Sequence, residues 1–175
     1  MEKILLVKPD ISYADEITAF RQECLDAGSA MDGCGSLAQY TDPKDWLDFI
    51  AIFEKKETVP EYWVQTSQFL YVREWDRKIV GMIQVRHDGN EYISNYAGHI
   101  GYAVRPSERR KGYAKQMLHD LLPYCRSIGL EKMLLTCLAG NEGSRKTILA
   151  NGGFYESTVL DPEENVHYER YWIVI

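Results

Sequence analysis

The sequence contains little cysteine and no long apolar run. Its four cysteines stand at positions 24, 34, 125 and 137 and form no C-x-x-C pair. A chain of 175 residues buries about 70% of its unfolded surface and needs no disulfide or metal to fold. We therefore expect reduced thiols, most of them in the core, and no bound metal. The apolar runs fall short of the roughly 18 residues of a membrane span, and residues 4–7 are too few for a signal peptide. These absences predict a cytoplasmic protein with no membrane partner.

Positive charge is also scarce. The chain has 20 lysines and arginines against 26 acidic residues, which gives a formal net charge of −6. Such a balance argues against nucleic acid or an anionic membrane as a partner. An anionic ligand would therefore need a local basic patch, and the positions of the basic residues become informative.

The order of hydrophobic periods predicts a mixed α/β fold. Stripes of 3.6-residue period predict helices that begin near Ser12, Asp42, Ala114 and Asn141. The predicted strands are 3–8, 69–75, 78–86, 97–104, 133–138, 154–160 and 167–175. Hairpins imply antiparallel pairs, whereas the strand–helix–strand unit around 98–138 implies a right-handed parallel crossover. We expect one domain over residues 1–175, with a mostly antiparallel sheet, a central parallel pair and helices on both faces.

The basic residues are concentrated in one turn. Residues 105–115 carry five positive charges and one negative charge, between a predicted strand and the strongest predicted helix. The first N–H groups of a helix lack internal partners and carry the positive end of its dipole, so cations there are unfavourable unless an anion binds. Gly112 would let the backbone approach a bulky anion. The turn therefore predicts a pyrophosphate site, although the P-loop and G-x-G-x-x-G patterns are both absent.

The same turn resembles a known family. The run from Arg109 to Ala114 fits the pattern Q/R-x-x-G-x-G/A, which binds the pyrophosphate of acyl-CoA in the GNAT N-acetyltransferase superfamily. The flanking elements fit as well, from the strand ending at Val104 to Asn141 and the Gly153-Phe154 pair. The resemblance covers about residues 68–160. The sequence there is similar to a bacterial branch of these acetyltransferases. It implies a splayed central strand pair and an enzyme that moves acetyl from acetyl-CoA to a primary amine by direct attack in a ternary complex.

The resemblance also implies cofactor-binding residues. Backbone groups of Ala103 and Val104 would hydrogen-bond the pantetheine arm where the two strands splay. The pyrophosphate would be bound by the turn, at Arg109, Arg110, Lys111, Gly112, Tyr113 and Ala114. At the helix that begins near Asn141, Asn141 would reach the pantetheine arm, and Ser144 with Arg145 would lie near the cysteamine or phosphate end of the cofactor.

The catalytic residues fit the family pattern less well. Many members use a tyrosine as general acid in an L-Y-x-x-x-G-F run, and that position is Leu149 here. Ser144 is the remaining hydroxyl candidate; alternatively the thiolate leaves unaided, because a thiol pKa lies near 8.5. His99 is the candidate general base, since an imidazole pKa near 6.5 suits proton removal at neutral pH. A structural role for His99 and a base at His87 are the alternatives.

The sequence does not name the acceptor. The resemblance implies a small-molecule or peptide amine, and the acidic balance favours a cationic one such as a polyamine. Two other functions stay open: a silent acyl-CoA-binding sensor, which the missing tyrosine favours, and transfer of a longer acyl group. A homodimer is common in the family and is possible here.

Overall fold

The computed structural model describes residues 2–175. Its strands are β1 (Ile4–Val7), β2 (Thr66–Arg73), β3 (Ile79–Arg86), β4 (Ile100–Val104), β5 (Lys132–Leu138), β6 (Phe154–Asp161) and β7 (Val166–Val174). Its helices are α1 (Ala14–Asp26), α2 (Pro43–Phe53), α3 (Tyr113–Ser127) and α4 (Glu142–Ala150). Within the described residues, no helix combines the length and the apolar character that crossing a bilayer requires.

The strands form two antiparallel sheets that meet at one point. β1 to β4 pair in chain order, and β7 pairs between β5 and β6. β4 and β5 are joined where the His99 N–H donates to Leu134 O at 2.7 Å and the Leu134 N–H donates to His99 Nδ1 at 3.0 Å. Beyond this contact the two strands belong to separate sheets. The mixed fold is confirmed, and the central pair separates from Ile100 onward.

Helices cover both faces of the first sheet because side chains alternate along each strand. Leu70 and Met82 pack against α1 and α2 in one core cluster, with Trp46 fully buried. Tyr71 and Ile83 point the other way, into a cluster built by α3, β5 and α4. All four cysteines are free and buried in these layers.

The local capping chemistry sets most element boundaries. Asp42 caps α2 with Pro43 in its first turn, and Asn141 caps α4, both as predicted. α1 begins at Ala14 rather than Ser12, because Asp10 accepts the Ser12 N–H and closes a separate turn first. β4 begins at Ile100 rather than residue 97, because Ile93–Ala97 forms a π-helical turn.

Candidate active site

A cleft opens between β4 and β5 beyond their contact at His99. It has a volume of about 770 Å³ and is lined by β4, the turn before α3, β5 and the start of α4. The His99 C=O and the Arg105 N–H both bond to β3, at 2.8 and 2.9 Å. Backbone groups alternate sides along a strand, so Tyr102 and Val104 turn theirs to the cleft and Ala103 turns its groups to β3. The strand edge that faces the cleft therefore belongs to Tyr102 and Val104, whereas the backbone groups of Ala103 face β3.

The turn before α3 presents a row of backbone donors. Within residues 2–175, the N–H groups from Arg110 to Ala114 make no hydrogen bond. Arg110 and Gly112 adopt left-handed conformations, with φ of +66° and +87°. A Cβ on Gly112 would meet no atom within 4 Å. Successive N–H groups in such a curled turn form a concavity for anions, and the α3 dipole adds to it. The turn thus fits a pyrophosphate.

A buried carboxylate holds this turn from behind. Glu108 is 3% exposed and accepts hydrogen bonds from Lys111 at 2.7 Å, Lys78 at 2.8 Å and Arg73 at 3.2 Å. Burial raises the pKa of Glu108, but the bonds from Lys111 and Lys78 outweigh burial and hold that pKa at about 2. The Lys111 side chain therefore neutralises Glu108 rather than extending into the cleft.

The remaining basic residues of the turn differ in their freedom. Arg109 donates to Val104 O at 3.1 Å and also bonds Ser29 Oγ, which ties the turn to the loop after α1. Arg110 and Lys115 line the cleft, and no described residue bonds their side chains. These two cations, with Arg109, place positive charge along the cleft.

A tyrosine spans the cleft where the sequence suggested only a serine. Tyr102 OH and Ser144 Oγ lie 2.7 Å apart and join β4 to the first turn of α4. Ser144 is held there because its N–H donates to Asn141 Oδ1 at 3.1 Å. Burial raises the pKa of Tyr102 to about 12, against the opposing effect of the bond to Ser144. The phenol therefore keeps its proton at neutral pH and offers an O–H donor inside the cleft.

Comparison with known sequences decides the family. The profile of the Acetyltransferase (GNAT) family matches residues 37–154, more than half of the chain, including the turn, Tyr102 and most of the cleft lining. The chain belongs to the GNAT acetyltransferase family. A comparison with curated protein sequences gave no match.

The fold of this GNAT protein is similar to solved acetyltransferase structures. The microcin C7 self-immunity acetyltransferase MccE, crystallised with acetyl-CoA and AMP, gives a TM-score of 0.72 at 19% identity over 100% of this chain and 94% of that one. The ribosomal-protein-S5-alanine acetyltransferase from Vibrio fischeri gives 0.76 at 16% identity, over 99% and 94% of the two chains. A GNAT acetyltransferase from Streptococcus pneumoniae gives 0.67 at 13% identity, over 99% and 100%. At these identities the likeness shows a common fold.

Both histidines considered as bases lie away from the clefts of this GNAT protein. His99 Nδ1 accepts the Leu134 N–H at 3.0 Å, so Nε2 carries the hydrogen of the neutral ring and neither nitrogen has a free lone pair. Burial also lowers the pKa of His99. His87 Nε2 contacts Ser67 Oγ at 2.9 Å in another network. The geometry favours the structural alternative for His99.

Arg145 is committed to α4 and β7. It bonds both carboxylate oxygens of Glu169, at 2.6 and 2.9 Å, and it also pairs with Glu142. The described lining of the cleft includes Asn141, Gly143 and Ser144 but not Arg145. Arg145 thus joins α4 to β7 and is not among the described residues that line the cleft.

A second cleft adjoins the first on the α2 side. It has a volume of about 390 Å³, and its walls carry the aromatic side chains of Phe49, Phe53, Tyr62, Trp63 and Tyr92. Its floor is polar, with Gln68, Gln84 and Arg86. Arg86, Tyr92 and Ala97 line both clefts. The two spaces therefore meet at Arg86, a residue that no motif in the sequence singles out.

Proposed function

We propose that this GNAT protein transfers the acetyl group of acetyl-CoA to a primary amine. The observation that carries the proposal is the row of unbonded N–H groups from Arg110 to Ala114 at the mouth of a cleft with a free strand edge. In the transfer, the amine nitrogen bonds to the thioester carbonyl carbon and the carbon–sulfur bond breaks. The electron pair goes to sulfur, and the protons of the ammonium pass to solvent and to the thiolate. The similar MccE structure was crystallised with acetyl-CoA.

The turn and β4 divide the binding of acetyl-CoA between them. The N–H groups of Arg110, Lys111, Gly112, Tyr113 and Ala114 bind the pyrophosphate, as expected for a curled helix N-terminus. Arg109, Arg110 and Lys115 add side-chain charge around it. The backbone of Tyr102 and Val104 bonds the pantetheine arm as an added strand would. Asn141 and Ser144 approach the arm from α4.

Tyr102 supplies a hydroxyl in place of the family's tyrosine, whose position is Leu149 in this chain. A phenol of pKa about 12 does not give its proton completely to a thiolate whose thiol pKa lies near 8.5. Its role is therefore to donate a hydrogen bond that stabilises the charge developing on sulfur. Ser144 positions Tyr102 through their 2.7 Å contact. This donor favours a transferase over a silent sensor.

The test is turnover on a panel of amines, followed by free-thiol release and by the mass of the acetylated product. We expect Tyr102→Phe to lower kcat about 100-fold, the usual effect of removing one donor to developing charge, with acetyl-CoA affinity unchanged. Tyr124→Phe is the matched control, because Tyr124 OH contacts Ser67 Oγ at 2.7 Å outside both clefts. Full kcat in Tyr102→Phe would remove this role, and the absence of any acetylated amine would contradict the transferase.

A further inference from the structure

The sheet face beneath the aromatic cleft changes from apolar to polar along two paired strands. Residues two apart share a face, so Gln68 continues the face of Leu70, and Gln84 and Arg86 continue that of Met82. The apolar pair is covered by α1 and α2, whereas the polar residues form the floor of the cleft. A few fixed polar groups in an aromatic cavity are typical of a small-molecule site.

Arg86 forms no salt bridge with any described residue. Its Nη1 donates to Gly98 O at 3.0 Å. No carboxylate of residues 2–175 lies within 4.0 Å of its side-chain nitrogens. The buried Arg73 and Arg105, by contrast, each pair with at least two carboxylates. The free donors of Arg86 stand at the junction of the two clefts, and the guanidinium fork suits a ligand carboxylate.

Gln68 provides a second unsatisfied atom in the same cleft. The residue is 2% exposed, and its Nε2 donates to the carbonyl oxygens of Gly33, Phe69 and Ile83, which fixes the orientation of the amide. Its Oε1 is buried and has no partner among the described residues. A buried acceptor left unpaired is costly, so an N–H or O–H donor from a ligand would relieve it.

From these atoms we propose that the acceptor is an aromatic amino acid whose ring carries a hydrogen-bond donor, as in tryptophan or tyrosine; the proposal rests on the acetyl transfer proposed above. The carboxylate binds Arg86, and the ring enters between Phe49, Phe53 and Trp63 and donates to Gln68 Oε1. The amine remains at the junction, facing the thioester. Gln68 and Arg86 are two residues along and one strand across, roughly 8 Å apart, comparable to the length of such an amino acid.

The lining of the aromatic cleft departs from the polyamine expected from net charge. No aspartate or glutamate is among the described residues that line it, whereas a polyamine would need carboxylates for its second and third ammonium groups. Asp32 lines the larger cleft together with Arg86. A zwitterion at the junction would place its ammonium toward Asp32 and its carboxylate toward Arg86.

The first experiment compares L-tryptophan with L-tryptophanamide, which has the same amine and ring but no carboxylate. We expect the wild type to prefer tryptophan in kcat/KM by about 10-fold or more, since bonds to charged groups are strong. Arg86→Gln should lose that preference by losing activity on tryptophan alone. The control Arg126→Gln, an exposed arginine in the last turn of α3, should keep it. Equal rates on the two substrates in the wild type, or equal losses in Arg86→Gln, would overturn the carboxylate assignment.

The second experiment tests the ring donor with L-phenylalanine, which lacks it. We expect the wild type to have a higher kcat/KM on tryptophan than on phenylalanine, and Gln68→Met to reduce that difference in kcat/KM. An unchanged difference would overturn the Gln68 assignment. Two further measurements distinguish failure of this acceptor from failure of the proposed acetyl transfer: turnover on spermidine, and calorimetric titration of acetyl-CoA. If the protein binds acetyl-CoA and acetylates spermidine but not tryptophan, the transferase proposal stands and the aromatic amino-acid acceptor is overturned. If the protein acetylates no amine, both the transferase proposal and the acceptor proposal are overturned.

Discussion

The loop between α1 and α2 reaches the cleft through a contact between two main chains, and replacing Gly33 tests that contact. A Cβ on Gly33 would lie 2.0 Å from Gly101 O and 2.4 Å from Tyr102 N, and Gly33 has a φ of +69°. These atoms belong to β4, which is paired with β3 and cannot rotate away. Because the same loop carries Asp32 to the cleft, the contact is also a condition for the shape of the site.

Comparison with a second glycine gives the size of the expected loss in the free energy of unfolding. Gly28 has a φ of +59°, and a Cβ there would meet nothing within 4 Å. Gly28→Ala therefore carries only the conformational cost, about 1–2 kcal/mol. Gly33→Ala adds a clash with rigid backbone, and overpacking typically costs about 1–3 kcal/mol more. We expect Gly33→Ala to lower the free energy of unfolding by about 2–5 kcal/mol in total.

Urea unfolding followed by circular dichroism measures both variants, with the midpoint compared at constant m-value. Gly101→Ala probes the same contact from β4, since its Cβ would lie 3.0 Å from Gly33 Cα without a positive φ. Equal stabilities of Gly33→Ala and Gly28→Ala would refute the close approach of the loop to β4.

Two further predictions concern Glu108 and His99. Glu108→Gln should lower the free energy of unfolding by about 3 kcal/mol at pH 7, because three cations lose a buried carboxylate. The pKa of Glu108 falls from 4.5 to about 2 on folding. Its contribution to stability is therefore complete above pH 4.5 and is lost as the pH falls through 2. Urea titrations at pH 7 and pH 3 should show a smaller difference between variant and wild type at pH 3, and a constant difference would contradict the assignment. His99→Asn should keep activity, because Asn Oδ1 can accept the Leu134 N–H, whereas His99→Ala should cost about 1–3 kcal/mol of stability. Loss of kcat in a stable His99→Asn that still binds acetyl-CoA would restore His99 as the base.

Local chemistry made much of the architecture predictable. The capping pattern Asp42-Pro43 and the apolar stripe of α3 are short-range signals, and both helices form where expected. The charge excess at 105–115 likewise marked the turn with the unbonded N–H groups. In each case the physical cause lies within a few residues of its effect.

The missed site residues depend on contacts between distant segments. Tyr102 meets Ser144 across 42 positions, and Arg86 stands out because no described carboxylate forms a salt bridge with it, which no local pattern reveals. Arg145 is expected from the sequence to face a ligand because its partner Glu169 lies 24 positions away on β7. The partner of His99 is equally distant, since the amide that donates to its Nδ1 belongs to Leu134 on another strand.

The central claim is that the turn before α3 binds the pyrophosphate of acetyl-CoA, and calorimetric titration of acetyl-CoA tests it most directly. Gly112→Asp places a negative charge at the curled N–H groups. Gly129→Asp is its control, because Gly129 has the same φ of +87° and open space but lies past the other end of α3. We predict micromolar binding to the wild type and to Gly129→Asp, and a loss of at least about 10-fold in Gly112→Asp, as expected for like charges a few ångström apart. No binding to the wild type, or equal affinities for the two variants, would contradict the claim.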